Sequence, residues 1–416
     1  MDQLPSLEGV HEAAALLDGI ALKSPFEKNY RISTKLQAEV FIKREDLQLV
    51  RSFKIRGAFN KINSLSEEQR KLGIVCASAG NHAQGFAFAC KKLKIHGKIF
   101  MPSPTPKQKV AQVKMFGEAF VEIILTGDTY DDSQYAAINY SSETNKIFIH
   151  PFDDKKVIEG QATIALEMIQ QSTKPLDYVF VPIGGGGLIS GIITVFKSLS
   201  PKTIIIGVEP SGARSMQAAL ENGERIVLDQ IDRFVDGAAV KCVGALPFLI
   251  SQQHLNKTIG VHEGKICQTI LELYNKEGIV AEPAGALSLA ALDSCNIDLK
   301  GKRVAAILCG GNNDIMRTPE IKERALFYAQ LKHYFAIRFP QRAGALKEFV
   351  TNILGPDDDI TFFEFSKKSN RDKAPAIVGI ELKQANDLKP LVQRMKDHNF
   401  YGVYLNEKPD LLQFLI

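Results

Sequence analysis

Residues 177–196 read DYVFVPIGGGGLISGIITVF. A run rich in β-branched and aromatic residues ends on Gly184–Gly187, and an apolar run with helical spacing follows. A strand that turns into a helix over glycines is the unit from which parallel α/β sheets are built. Glycines without Cβ let successive backbone N–H groups converge on an anion, and a helix N-terminus adds positive partial charge. The stretch therefore predicts a phosphate cradle. From none of these glycines does the G-x-G-x-x-G spacing complete, and no Gly-Lys-Ser/Thr ending follows, so it is neither a dinucleotide fingerprint nor a P-loop. A tight strand–helix turn alone needs one or two flexible residues, and four in a row exceed that need.

The same alternation extends in both directions. Strand-like runs are GIVCAS (73–78), GKIFMP (97–102), AFVEIIL (119–125), TIIIGVE (203–209) and RVAAILC (303–309). Between them lie segments of helical period, such as TPKQKVAQVKMFG and KVIEGQATIALEMIQQ. The strands are near-continuous apolar runs, as expected where helices cover both faces of a parallel sheet. The expected class is α/β with largely parallel sheets.

Two further loops follow strands. SAGNHAQG (78–85) precedes a helical run, so its amides could hold a carboxylate, although Ser78 or Asn81 could equally be an ordinary N-cap. CGGNND (309–314) ends the strand RVAAIL, at the edge where α/β sheets place ligands; a buried, inert Cys309 is the plainer reading. Then comes SFKIRGA (52–58), with Lys54 between Phe53 and Ile55. Most lysines are solvated surface charges, but apolar neighbours disfavour the ammonium and suit a nucleophile. A nucleophilic lysine, a phosphate cradle and anion sites at several strand ends together fit pyridoxal phosphate.

The totals exclude other classes. The 416 residues suit two or three domains. A formal charge of +4, with no basic run, argues against nucleic acid as a partner. No apolar segment reaches membrane-spanning length, and MDQLPSLEGVHEAAALLDGI shows neither the basic n-region nor the apolar h-region expected of a signal peptide. The six scattered cysteines (76, 90, 242, 267, 295, 309) form no C-x-x-C pair, which points to a reducing, cytoplasmic setting. The eight histidines lack metal-ligand spacing, so no metal is expected.

The character changes near residue 330. LKHYFAIRFP (331–340) reads as a strand and RAGALKEFVTNIL (342–354) as a helix with Leu346, Phe349, Val350 and Ile353 on one face. DITFFEFSKK (359–368) and APAIVGIELK (374–383) read as strands joined by a charged turn; ANDLKPLVQRMKDHNF (385–400) is a second helix and YGVYLN begins a last strand. The order βαββαβ is one ferredoxin-like unit and carries no nucleophilic constellation, so it reads as regulatory.

SFKIRGA, SAGNHAQG, GGGGL and CGGNND occur in this order with spacings that resemble the fold-type II pyridoxal-phosphate enzymes, most closely the biosynthetic threonine dehydratases (threonine ammonia-lyases). The likeness covers nearly the whole chain, and residues 330–416 resemble the ACT-like regulatory domain of that family, in one copy. The resemblance implies a catalytic domain over 1–329, with a small subdomain inserted at about 51–150, followed by the regulatory domain. It implies that Lys54 holds the cofactor as a Schiff base and moves the substrate's Cα proton. Phe53 would flank the ring, Asn81 would bond its 3-hydroxyl, and Cys309 would face its nitrogen. Gly184, Gly185, Gly186, Gly187 and Leu188 would hold the phosphate; Ser78, Gly80 and His82 would take the substrate carboxylate; Glu282, in AEPAGA, would lie near the ring. The implied substrate is L-threonine, the implied allosteric ligand isoleucine, and the assembly a homodimer or homotetramer. Many relatives carry serine or threonine in place of Cys309. Serine racemases carry a serine in place of Ala79, so racemisation is not expected here.

Three alternatives remain at the level of sequence. A catabolic serine/threonine dehydratase would share the motifs but lacks this type of C-terminal unit. A Rossmann-type oxidoreductase would place Glu209 on a ribose and leave Lys54 unexplained. A non-catalytic amino-acid sensor would use the C-terminal unit alone.

Overall fold

The computed structural model describes residues 4–366, 373–408 and 410–412. The chain divides into two compact units, Met1–Arg317 and Thr318–Ile416.

In the first unit the apolar runs become two parallel sheets. The strands are β1 (Phe26–Lys28), β2 (Glu39–Arg44), β3 (Ile74–Ala77), β4 (Gly97–Met101), β5 (Val121–Leu125), β6 (Ile147–Phe148), β7 (Tyr178–Pro182), β8 (Ile204–Pro210), β9 (Lys257–Val261) and β10 (Arg303–Leu308). The large sheet runs β1-β2-β10-β7-β8-β9, parallel except for β1 at its edge. The small sheet runs β5-β4-β3-β6 and is wholly parallel. The six strands read from sequence are present; β1, β2, β6 and β9 were not anticipated. β1 and β6 are too short to show a period, Lys43 interrupts the apolar run of β2, and β9 opens on Lys257 and Thr258. Lys43 of β2 is nevertheless fully buried.

This topology gathers the loops. β7 and β10 are neighbours in register, Ala305 opposite Val179, so the glycine run and Cys309 leave the sheet side by side. β3 of the small sheet ends at Ala77 and delivers Ser78–Gly80. The core beneath it packs Phe59, Ile62, Phe86, Ile99 and Met101. Each such side chain contributes about 1.5–3 kcal/mol on burial.

Lys54 begins the helix Lys54–Asn63, which buries Ile55, Ala58, Phe59 and Ile62. Two close approaches fix this helix. A Cβ on Gly160, in the helix Lys155–Gln171, would lie 2.7 Å from the Gly57 Cα. One on Gly85, in the helix Asn81–Leu93, would lie 2.9 Å from the Lys54 carbonyl oxygen. The lysine's backbone is thus wedged between two helices that meet it without intervening side chains.

The second unit contains β11 (Lys332–Pro340), the helix Ala345–Asn352, β12 (Asp359–Phe365), β13 (Lys373–Glu381), the helix Leu388–Asp397 and β14 (Val403–Tyr404). They form an antiparallel sheet in the order β12-β13-β11-β14, the expected βαββαβ arrangement. The charged turn between β12 and β13 lies outside the described residues. One expectation fails. The first helix buries Ala345 and Phe349, with Ile353 at its end, whereas Leu346 and Val350 are 47% and 46% exposed. Positions i, i+4 and i+8 form the inward stripe, and the other two leucine-like positions lie a step around the helix.

Candidate active site

The loop that carries Lys54 is zipped to the loop after β10. Phe53 N–H donates to the Cys309 carbonyl at 3.1 Å, and Gly311 N–H to the Arg51 carbonyl at 2.8 Å. Ser52 and Gly310 form an isolated antiparallel bridge. Lys54 Nζ donates to the Pro151 carbonyl at 2.9 Å and lies 5.3 Å from the centre of the Phe53 ring. Burial brings its pKa down from 10.5 to about 8, against the opposing influence of Cys309 and Glu282. That is the behaviour its apolar neighbours predicted.

Pro151 joins the lysine to the glycine run. The next residue, Phe152, lies against Gly185 and Gly187; a Cβ on Gly187 would sit 2.9 Å from the Phe152 carbonyl oxygen. Gly186 has φ +93°, and a Cβ there would meet Pro247. A Cβ on Gly184 would be 3.0 Å from the Ala238 Cα. Every glycine of the run is thus used by packing or by conformation. The helix Gly187–Leu199 follows, and its first amides have no acceptor within the helix. The Gly185 carbonyl accepts from Gly244 N–H at 3.0 Å, and the Asp153 carboxylate caps the helix Ala245–His254 through Ala245 and Leu246. Leu188 is buried behind the cradle. A backbone concavity without Cβ atoms, opening at a helix N-terminus, fits a phosphate group.

Asn81 opens the helix Asn81–Leu93. Its Nδ2 donates to Glu282 Oε1 at 2.5 Å, and its Oδ1 accepts from Asn312 Nδ2 at 2.7 Å. Burial, then the charge of Asp236, brings Glu282 up to about 7 against its bond from Asn81. Cys309 is buried and its thiol donates to the Ala284 carbonyl at 3.3 Å. Burial, then Glu282, holds that thiol well above its ordinary range, so it is neutral.

In the loop after β3, Gly80 N–H donates to Ser78 Oγ at 3.2 Å, and both residues are partly open. The His82 ring instead turns inward. It is 3% exposed, its Nε2 meets the Ile149 carbonyl at 3.2 Å, and its Nδ1 has no partner. Burial, then the Lys54 charge, lowers it to about 3, so the ring is neutral. Its side chain packs the interior, and only its backbone lies at the loop.

The structure therefore brings Lys54, Phe53, Asn81, Cys309 and Glu282 into one cluster and ties the glycine run to it through Pro151 and Phe152. Sequence reading missed His150–Asp153 and Asn312. The first follows the strand-like IFIH, whose end at a proline was a usable signal; the second sits within CGGNND but gave no sign of its partner. Glu209 is 1% exposed and accepts from Met216 and Gln217 N–H at 2.7 and 2.9 Å. It is committed to a helix start, which removes it as a ribose ligand. None of the six cysteines is joined in a disulfide. Among the described residues, no His/Cys/Asp/Glu group is placed to hold a metal ion, and no helix is long and apolar enough to cross a membrane.

Residues 18–310 match the family described as pyridoxal-phosphate dependent enzyme, and residues 323–415 match the C-terminal regulatory domain of threonine dehydratase. A biosynthetic L-threonine dehydratase from Halalkalibacterium halodurans is 52% identical over 410 residues, 99% of each chain. One from Bacillus subtilis is 51% identical over 397 residues, covering 95% of this chain and 94% of the relative. Among solved structures, the processed threonine deaminase isoform 2 of Solanum lycopersicum has a TM-score of 0.72 and 37% identity, covering 78% of this chain and 91% of its own.

Proposed function

From the premise that this chain belongs to the pyridoxal-phosphate-dependent enzymes of fold type II, among the biosynthetic threonine dehydratases, we propose that it converts L-threonine to 2-oxobutanoate and ammonia. The observation that carries the reading is Lys54, whose amine is buried and depressed to about 8 between the glycine cradle and the Asn81–Cys309 cluster. Bound pyridoxal phosphate supplies an electron sink for the charge that develops at the substrate's Cα.

The chain's own residues do the rest. Lys54 Nζ, lowered to about 8, would hold the cofactor covalently and, once displaced by the substrate amine, would take up the Cα proton; the β-hydroxyl leaves as water with a proton from a general acid, and hydrolysis of the aminocrotonate released gives 2-oxobutanoate and ammonia. Gly184–Gly187 and Leu188 hold the phosphate through backbone amides, and Phe53 flanks the ring. Cys309 presents a neutral thiol to the ring nitrogen. Such a partner does not stabilise a protonated ring, which restrains full delocalisation and favours elimination over transamination. Ser78, Gly80 and the His82 backbone take the substrate carboxylate, where the start of the helix Asn81–Leu93 favours an anion. Ala79 has no proton to offer the opposite face of Cα, which separates this chemistry from racemisation.

We assign catalysis to residues 1–329 and regulation to 330–416, with isoleucine as the inhibitory ligand. The second unit supports this with an open cleft of about 580 Å³ beside β11. Phe339, Phe363 and Phe365 supply apolar walls for an aliphatic side chain, and Arg342, which here pairs with Glu348, supplies a cation for a carboxylate. Inhibition requires two states of different isoleucine affinity. A symmetric homodimer or homotetramer in the cytoplasm completes the reading; cysteines not joined in disulfides accord with a reducing compartment.

The deciding assay is 2-oxo acid release from L-threonine by purified protein, with and without L-isoleucine. Release suppressed by isoleucine is expected. Release indifferent to isoleucine refutes the regulatory assignment and keeps the chemistry. No release with added pyridoxal phosphate, or near-normal release by Lys54→Ala, refutes the catalytic assignment.

A further inference from the structure

Asn81 is clamped from two sides by residues far away in sequence. Asn312 Nδ2 donates to the Val50 carbonyl at 2.9 Å and to Asn81 Oδ1 at 2.7 Å. A backbone carbonyl can only accept, so Val50 fixes which way round the Asn312 amide lies. Asn312 in turn fixes Asn81. At the other end, Asn81 Nδ2 donates to Glu282 Oε1, and the Asn312 backbone amide donates to the same carboxyl group. Glu282 stands at the N-cap of the helix Pro283–Ala291, yet its side chain caps nothing there. It is 5% exposed and turned to Asn81 instead. Gly310 makes the room, because a Cβ at that position would overlap the Glu282 carboxyl group. The glycine of CGGNND and the misdirected cap both serve one contact.

An asparagine side chain has two N–H donors and one carbonyl acceptor. With the carbonyl on Asn312 and one N–H on Glu282, a single N–H remains. We propose that Asn312 and Glu282 are positioning residues that hold the Asn81 amide with its remaining N–H toward the cofactor, so that the site favours the anionic form of the ring's 3-oxygen. This rests on the assignment of Asn81 to that oxygen. The consequence is a proton kept on the Lys54 nitrogen joined to the cofactor rather than on the ring oxygen, which is the state most open to attack by a substrate amine.

The two proton positions absorb at different wavelengths, so their ratio in the holoenzyme without substrate reads the proposal directly. A donor to a charged oxygen is worth about a tenfold change in that ratio. Asn81→Ala, Asn312→Ala and Asn312→Ser holoenzymes are compared at one pH with the wild type, with cofactor content measured in each. The serine variant guards against a folding failure of the alanine one. Glu282→Gln keeps an acceptor before Asn81 Nδ2 and removes the charge, so it retains the long-wavelength band. The expected result is a roughly tenfold fall in the ratio of the long- to the short-wavelength form for Asn81→Ala and a fall in the same direction for both Asn312 variants. If Asn81→Ala lowers the ratio while both Asn312 variants match the wild type, the positioning role is overturned and Asn81's own role stands. If Asn81→Ala also matches the wild type, the assignment of Asn81 falls and the proposal with it.

Discussion

Removing Arg56, two residues beyond the candidate nucleophile, tests how the lysine helix is held. Its guanidinium is 1% exposed, and its five N–H groups reach six oxygen atoms, one N–H of Nη2 being shared. Nε and Nη2 reach both oxygens of Glu45 at 2.8 Å; Nη1 and Nη2 reach Glu167 at 2.6 and 3.0 Å; Thr163 and the Leu22 carbonyl take the rest. Lys43, itself buried, adds a second cation on Glu167 at 2.5 Å. The cluster therefore holds two cations and two carboxylates and is neutral. Arg56→Met strands Glu45, which is fully buried, and breaking such a pair costs about 3–5 kcal/mol. With a urea slope of about 3 kcal/mol per M, the unfolding midpoint of the catalytic unit drops by about 1 M or more.

The pH dependence has a definite sign. Burial alone would raise the Glu45 carboxyl, but the Arg56 charge and its hydrogen bonds overcome that and hold it below its usual value. A carboxylate depressed in the folded state contributes stability above its unfolded pKa and loses it as pH falls through the folded one. In Arg56→Met burial prevails and Glu45 takes a proton. The gap from wild type is widest at neutral pH and narrows toward about pH 4. Arg56→Met with Glu45→Met leaves Lys43 opposite Glu167 and recovers most of the loss, because apolar replacement of a buried pair is close to neutral. A single variant costing under about 1 kcal/mol, or a double variant as costly as the two singles summed, refutes the account.

Three other outcomes follow from the same geometry. Gly185→Ala drives a methyl into the Phe152 ring and should weaken pyridoxal-phosphate binding at least tenfold, read by equilibrium dialysis; unchanged affinity would mean the cradle tolerates side chains. In cofactor-free protein, Lys54 is depressed from 10.5 to about 8, so the unfolded chain binds the extra proton between those values and stability rises with pH across that window. Lys54→Met should abolish that rise in urea melts, and a variant that keeps it removes Lys54 as its cause. Ending the chain at Arg317 should leave threonine turnover in place and erase isoleucine inhibition; inhibition surviving in a folded truncation would move the regulatory ligand to the first unit.

What was legible in the sequence was local. The glycine run, the apolar setting of Lys54 and the strand ends at Ala77 and Leu308 each announce themselves within a few residues, because turns, caps and buried strands are set by near neighbours. The partners of those residues were not legible. Asn81 meets Glu282 and Asn312 across 201 and 231 positions, and Arg56 meets Glu167 across 111. No periodicity encodes such pairs. Lys43 shows the same limit from the other side: a charged residue in β2 reads as a break in a strand until Glu167 supplies its counter-charge. The helix Ala345–Asn352 failed differently. Its apolar residues outnumber one stripe, and periodicity alone cannot choose which stripe faces the sheet.

These distant contacts share a design. The lysine's helix is fixed in translation by the close approach of Gly160 and Gly85 to its backbone, and fixed electrostatically by Arg56 on Glu45 and Glu167. The loop before it is zipped to Cys309–Gly311, which also carries Asn312. Displacing the helix would therefore disturb the amine, the Cys309 loop and the Asn81 amide together. That coupling explains why so much buried charge stands beside a site in which Cys309 and the His82 ring are kept neutral. Cys309 and the His82 ring are held uncharged by burial, and Lys54 is brought close to it. A charge near such groups would shift them, unless it were paired in place. The Arg56 cluster is neutral as a whole and saturated with hydrogen bonds, so it anchors the helix without imposing a net field on the amine. Removing Arg56 loosens the helix and forces a proton onto the buried Glu45, and for that reason the Arg56→Met variant should lose catalytic rate as well as stability while the balanced double variant regains both.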